Sequence, residues 1–300
     1  MYFVYTPRYT ADIGAHVFPT EKYNLIYRDL KNDGILRDDS VVVPERPSND
    51  DLRKIITEDY LDDLLHSRMS ARTYPSEMPV QSNIIEAQIL CCGGSFQTTE
   101  HAMKYGGCYH IGGGFHHAFP DHAEGFCYLN DVVFAAVKML EKDTNRIAII
   151  DLDLHQGNGT AKFFENEYRV FTFSMHQERL YPKKERSTLD IGLDIGIQDD
   201  EYLDKLNNAL EQIYNDFEPL LVLYLAGADP YVFDQLGNLS LTLEGLQKRD
   251  EAVIHRAVKR HIPVAIVLGG GYAEDVNDTS KIHSNTARVL YHALRDKRKA

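Results

Sequence analysis

The chain has 300 residues, with 32 Lys or Arg against 45 Asp or Glu, for a formal net charge of −13. Hydrophobic residues make up 43% and charged residues 26%, an ordinary globular composition that excludes a disordered, collagen-like or coiled-coil chain. The acidic balance argues against general nucleic-acid binding, and no apolar run approaches the ~18–20 residues of a membrane span.

In chain order, the start from Met1 to Arg8 lacks the charged region and apolar stretch of a signal peptide. The expected setting is therefore cytoplasmic, with the nucleus left open. Val80, Ile84, Ala87 and Cys91 follow helical spacing. Cys91, Cys92, Cys108 and Cys127 fit neither a C-x-x-C pair nor a dense disulfide framework, so they read as reduced thiols. Apolar runs at 107–111, 147–150, 170–175, 220–225 and 264–268 each end in glycine or polar residues. Runs of this kind suit strands buried on both faces, as in a parallel sheet. Between them, Val133, Ala136, Val137 and Leu140 share one helical face. So do Leu203, Leu206, Leu210, Ile213 and Phe217, behind candidate N-caps Asp199 or Asp200. The alternation predicts one α/β domain over 1–300, an open, mostly parallel sheet with helices on both faces. Ligands bind such sheets outside the carboxyl ends of the strands.

The unusual residues cluster at those ends. Gly112-Gly113-Gly114-Phe115-His116-His117 places two histidines beside glycines that let a ligand come close to the backbone. In an extended strand Asp151, Asp153 and His155 would share a face. Two buried carboxylates and an imidazole are costly unless a cation compensates, and mixed O/N ligands fit zinc with an open position. Asp229, closing the run at 220–225, could complete the set, although an Asp before Pro230 also suits a simple turn. Gly269-Gly270-Gly271-Tyr272 would present a tyrosine hydroxyl at the same edge, suited to a developing oxyanion; a ring packed over a glycine turn is the plainer alternative. A phosphate loop at Gly157-Asn158-Gly159 lacks its third glycine.

With Gly125-Phe126-Cys127-Tyr128-Leu129-Asn130-Asp131 added, these motifs resemble, in order, those of the zinc-dependent histone deacetylase family. Asp200 to Lys205 and Lys248-Arg249-Asp250-Glu251 are most similar to its class IV branch and bacterial relatives. The resemblance implies an arginase-like α/β fold and zinc held by Asp153, His155 and Asp229. It implies His117 as general base, His116 as electrostatic partner and proton donor, Asn158 orienting His117, and Tyr272 polarising the scissile carbonyl. Asp151 would orient His116 and, with Ser174, hold a structural potassium ion. Gly125, Phe126, Tyr181, Leu236 and Gly270 would contact substrate. That substrate is expected to be acyl-lysine in a protein, or alternatively an acetylpolyamine or another small N-acyl amine. Members that prefer polyamines carry an acidic gatekeeper where this chain has Leu236, while Asp234 nearby keeps the cationic substrate open. Class I members place an aspartate at Asn158; a neutral amide there raises the pKa of His117 less. The two-manganese ureohydrolases need a carboxylate where this chain has Gly157.

Overall fold

A computed structural model describes residues 1–297. Among these residues the chain forms one eight-stranded sheet flanked by nine α-helices. The strands are β1 (Tyr2–Val4), β2 (Val41–Val42), β3 (Gly107–His110), β4 (Ile147–Asp151), β5 (Val170–Gln177), β6 (Leu189–Leu193), β7 (Leu221–Leu225) and β8 (Val264–Val267). Their order across the sheet is β2-β1-β3-β8-β7-β4-β5-β6, and every pairing is parallel.

The five apolar runs are the five innermost strands of this order other than the edges they leave to β1, β2 and β6. Every residue of β3, β4, β5, β7 and β8 is buried, as near-continuous apolar sequence requires. The helices are α1 (Lys22–Asn32), α2 (Asn49–Leu52), α3 (Glu58–Leu65), α4 (Ser82–Tyr105), α5 (Asp131–Leu140), α6 (Asn158–Phe164), α7 (Asp199–Gln212), α8 (Leu243–Lys259) and α9 (Val276–Lys297). They pack in two groups, one around α4 with α5, the other around α9 with α8 and α1; β3 touches both α4 and α9.

Two expectations need correction. The extended segment stops at Asp151, so Asp153 and His155 lie in the turn that follows rather than on one strand face. Asp199 is the first residue of α7 rather than a side-chain cap, because its carboxylate accepts the Thr242 N–H at 2.9 Å and the Thr242 hydroxyl at 2.6 Å.

The order β3-β8-β7-β4 decides where chemistry can occur. The chain leaves β3 towards His116 and His117, β8 towards Tyr272, β7 towards Asp229, and β4 towards Asp153 and His155. Four adjacent strand ends therefore deliver all the expected reactive groups to one place.

Candidate active site

Beyond β4 the chain folds back on its own carboxylates. Asp151 Oδ1 accepts the Asp153 N–H at 3.1 Å, Asp153 Oδ1 accepts the His155 N–H at 3.0 Å, and Asp229 Oδ1 accepts the Leu154 N–H at 2.9 Å. These bonds draw the Asp153 and Asp229 carboxylates and the His155 ring together. Ligand atoms of the three residues lie within 4.8 Å of one another, and all three residues are buried. His155 Nδ1 is 3.3 Å from Asp153 Oδ1 and 3.2 Å from Asp229 Oδ2. Burial and the neighbouring charge of Asp153 push the Asp229 carboxyl up to about 8, the direction in which two carboxylates sharing a buried site move each other. The donor set suits a divalent metal. Gly270 lines the channel above it and donates its N–H to Asp153 Oδ2 at 2.7 Å.

The two histidines are oriented differently. His116 Nδ1 lies 2.7 Å from Asp151 Oδ2, and His117 Nδ1 lies 2.7 Å from Asn158 Oδ1. Burial disfavours a charge on His116, but Asp151 and then Asp153 outweigh it and raise its pKa to about 9. Burial, with His116 and His155 adding to it, keeps His117 well below its ordinary value. The facing Nε2 atoms are 3.1 Å apart, so a charged His116 supplies the proton between them and a neutral His117 supplies the lone pair.

Tyr272 reaches the channel from the loop after β8. Its N–H donates to Asp234 Oδ2 at 2.7 Å and its carbonyl accepts from Gln235 Nε2 at 2.8 Å. Burial, with Asp153 and Asp229, raises its hydroxyl well above the usual range, which keeps it an O–H donor. The inner channel is narrow, about 20 Å³ of free volume, and Phe18, Phe115, Phe126 and Tyr272 line it. Phe126 meets Tyr272 edge-on with ring centroids 5.9 Å apart. A separate outer vestibule of about 930 Å³ is walled in part by Tyr181, Glu77 and Glu124. Tyr181 also meets the His117 ring at 5.5 Å.

Other expected residues fall elsewhere. Leu236 is not among the described residues that line the channel or the vestibule. Its N–H donates to Asp234 Oδ1 at 2.9 Å, so both Asp234 oxygens are spent on backbone N–H groups rather than offered to a cationic substrate. Ser174 pairs with Asp151 across β4 and β5, and its hydroxyl is 2.9 Å from His176 Nδ1. Cys127 lines the channel, but its thiol donates to the Gly125 carbonyl and burial raises it well above the ordinary value, consistent with packing.

Sequence reading missed the supports. Asp131 is fully buried and accepts the N–H groups of Gly114 at 3.0 Å and Phe115 at 2.7 Å, along with the Ser95 hydroxyl. Arg249, also fully buried, donates from Nη1 to the carbonyls of Gly227 at 2.5 Å and Leu152 at 3.3 Å, bracing the turns that carry Asp229 and Asp153. Lys22 donates to the Gly269 carbonyl at 2.9 Å, and burial lowers its pKa to about 8. Arg249 and Asp250 were visible as a motif; their burial was the missing signal.

The fold is that of the crystal structure of the HDA15 HD domain, with a TM-score of 0.82 at 19% identity over 99% of this chain and 91% of that one. The histone deacetylase domain family matches residues 16–289. The chain therefore belongs to the histone deacetylase family and is a hydrolase acting on amide bonds. It is 37% identical to an uncharacterized protein of Picosynechococcus sp. over 98% of both chains. It is 33% identical to histone deacetylase 2 of Arabidopsis thaliana over 86% of this chain and 70% of that one. No helix among the described residues is long and apolar enough to cross a membrane.

Proposed function

We propose that this chain is a zinc-dependent deacylase that removes acetyl or longer acyl groups from the side-chain amine of lysine in proteins. The observation that supports this most is the meeting of Asp153, His155 and Asp229 with both histidines and Tyr272 around one narrow channel. Two carboxylates and one imidazole, brought together from the turn after β4 and the turn after β7, are a donor set that leaves room at zinc for substrate. When bound there, zinc supplies Lewis acidity at the acyl carbonyl and makes water a stronger acid.

The chain's own residues do the rest. His117 Nε2 takes the proton from attacking water, a contribution of about 10²–10⁴-fold. His116, kept charged by Asp151, holds the proton that the leaving amine requires. The Tyr272 hydroxyl donates to the acyl oxygen as charge develops, an effect worth ~3 kcal/mol. The clamp of Asp234 and Gln235 on the Tyr272 backbone fixes where that donor points. Phe126 and Tyr181 flank the path of the lysine methylenes. The reading includes a potassium ion held by the hard oxygen donors of Asp151 and Ser174, neighbours across two strands. It also includes a class IV-like placement, which rests on the resemblance of the stretches at 200–205 and 248–251.

N-acetylated polyamines are the second substrate class, favoured by Glu77 and Glu124 in the vestibule. The test strips the protein with a chelator, restores zinc, and follows acetate release from an acetyl-lysine peptide and from N-acetylputrescine. Zinc-restored cleavage with the peptide preferred is expected. Cleavage of the amine alone would favour the second class, and none of either would end the proposal.

A further inference from the structure

We propose that Glu124 is a positioning residue for His117. Its carboxylate sets the orientation of the Asn158 amide, so that His117 carries its proton on Nδ1 and keeps Nε2, the nitrogen facing His116, as its acceptor. The inference deepens the reading of His117 as base and rests on it.

Donors and acceptors fix which way the Asn158 amide faces. Asn158 is buried and its amide lies between two partners, with Nδ2 3.0 Å from Glu124 Oε1 and Oδ1 2.7 Å from His117 Nδ1. An asparagine amide can turn over, exchanging NH₂ and oxygen with little change of shape, and an imidazole can accept either face by choosing its tautomer. Facing His117 alone, Asn158 would therefore leave the tautomer unset. A carboxylate removes that freedom because it only accepts. The NH₂ group must face Glu124, the oxygen must face the ring, and Nδ1 must be the nitrogen that donates. In a neutral imidazole the lone pair is then on Nε2, the atom 3.1 Å from His116 Nε2. The reversed amide would set Asn158 Oδ1 against the Glu124 carboxylate, acceptor on acceptor.

The local backbone is built to hold Glu124 there. Gly125 and Phe126 both adopt positive φ, 48° and 65°. At Phe126, where a side chain makes that conformation costly, the N–H donates to the Ser76 carbonyl at 2.8 Å and the carbonyl accepts from Gln88 Nε2 at 2.8 Å. A Cβ at Gly125 would lie 2.6 Å from His117 Cδ2 and 2.8 Å from the Tyr181 hydroxyl, so only glycine lets the turn press against both rings. The Tyr181 hydroxyl donates to the same Oε1 at 3.1 Å, which ties the vestibule wall to the base through one carboxylate oxygen.

The test uses full-length zinc-loaded protein with ¹⁵N-labelled histidine, comparing wild type with Glu124→Gln. Glutamine keeps the size of the side chain but, having its own amide to turn, restores the ambiguity. Long-range ¹H–¹⁵N spectra should show His117 as the Nδ1–H tautomer in wild type and as a mixture in the variant. On acetyl-lysine peptide the variant's kcat should fall roughly ten-fold with KM nearly unchanged, the mark of a base misplaced in its proton rather than of lost binding. Wild-type His117 protonated on Nε2, or a variant with wild-type tautomer and wild-type kcat, would overturn the inference. The spectra need no substrate. A correct tautomer in a protein that cleaves no acyl-lysine would instead count against the proposed function.

Discussion

Gly270 donates its backbone N–H to Asp153 Oδ2 at 2.7 Å, joining the loop after β8 to the turn after β4 across the end of β7. Asp229, which extends from β7, lies directly beneath that bond. A Cβ on Gly270 would fall 2.1 Å from Asp229 Oδ2. The oxygens of the triad are thus closed from above by bare backbone.

Gly270→Ala should therefore push directly on Asp229 and disturb the triad while every ligand residue stays in the sequence. We expect zinc affinity to fall about 10–100-fold, the usual cost of losing an outer partner of a ligand, as measured by competition with a chromophoric chelator. Unchanged affinity would mean that the loop can yield, and that the close packing at Gly270 does not set the metal site.

The site also depends on a buried cation remote from the reacting atoms. Arg249→Leu should leave the carbonyls of Gly227 and Leu152 without a donor and Asp250 without its partner. Asp250 would keep only the hydroxyls of Tyr224 and Thr286, at 2.5 and 2.6 Å. Breaking one member of a buried pair costs about 3–5 kcal/mol, and urea unfolding should show a loss of that size. A variant as stable as the parent would contradict the bracing role.

What could be read from the sequence follows from how each residue is satisfied. Runs such as 147–150 are apolar throughout because both faces are covered, and this shows in the sequence alone. β6 alternates half-buried positions with the exposed Asp190 and Gly192, and β2 is only two residues long; neither leaves a run to detect. The paired histidines and the Asp153, His155 and Asp229 cluster could be singled out because adjacent histidines and a D-x-D-x-H pattern are poor choices for a buried strand end. Lys22 could not, since its partner, the Gly269 carbonyl, is 247 residues away and nothing in α1 announces it. Nor does the sequence show that the loop after β7 turns the Asp234 oxygens inward to the N–H groups of Tyr272 and Leu236.

Acid should weaken the fold through His110. This residue is fully buried, with Nε2 2.8 Å from the Tyr9 hydroxyl and Nδ1 3.0 Å from Ser95 Oγ. Burial lowers its pKa to about 3, against ~6.5 in an unfolded chain. Below about 6.5 the unfolded chain takes up a proton that the native state refuses, so stability present above that pH drains away as pH falls towards 3. The full swing is of order ~4–5 kcal/mol. Urea midpoints for wild type and His110→Gln between pH 7.5 and 4.5 should show a shallower decline in the variant. Equal declines would rule out His110 as a source.

The most direct test of the central claim is the rate of acyl release from one lysine peptide carrying acetyl, octanoyl or myristoyl groups, comparing zinc-loaded wild type with Tyr272→Phe. We expect the variant to keep its zinc and to lose at least about 100-fold in kcat on whichever chain the wild type cleaves. A Tyr272→Phe protein that turns over normally, or that fails only because its zinc is gone, would contradict the role assigned to this hydroxyl and with it the mechanism.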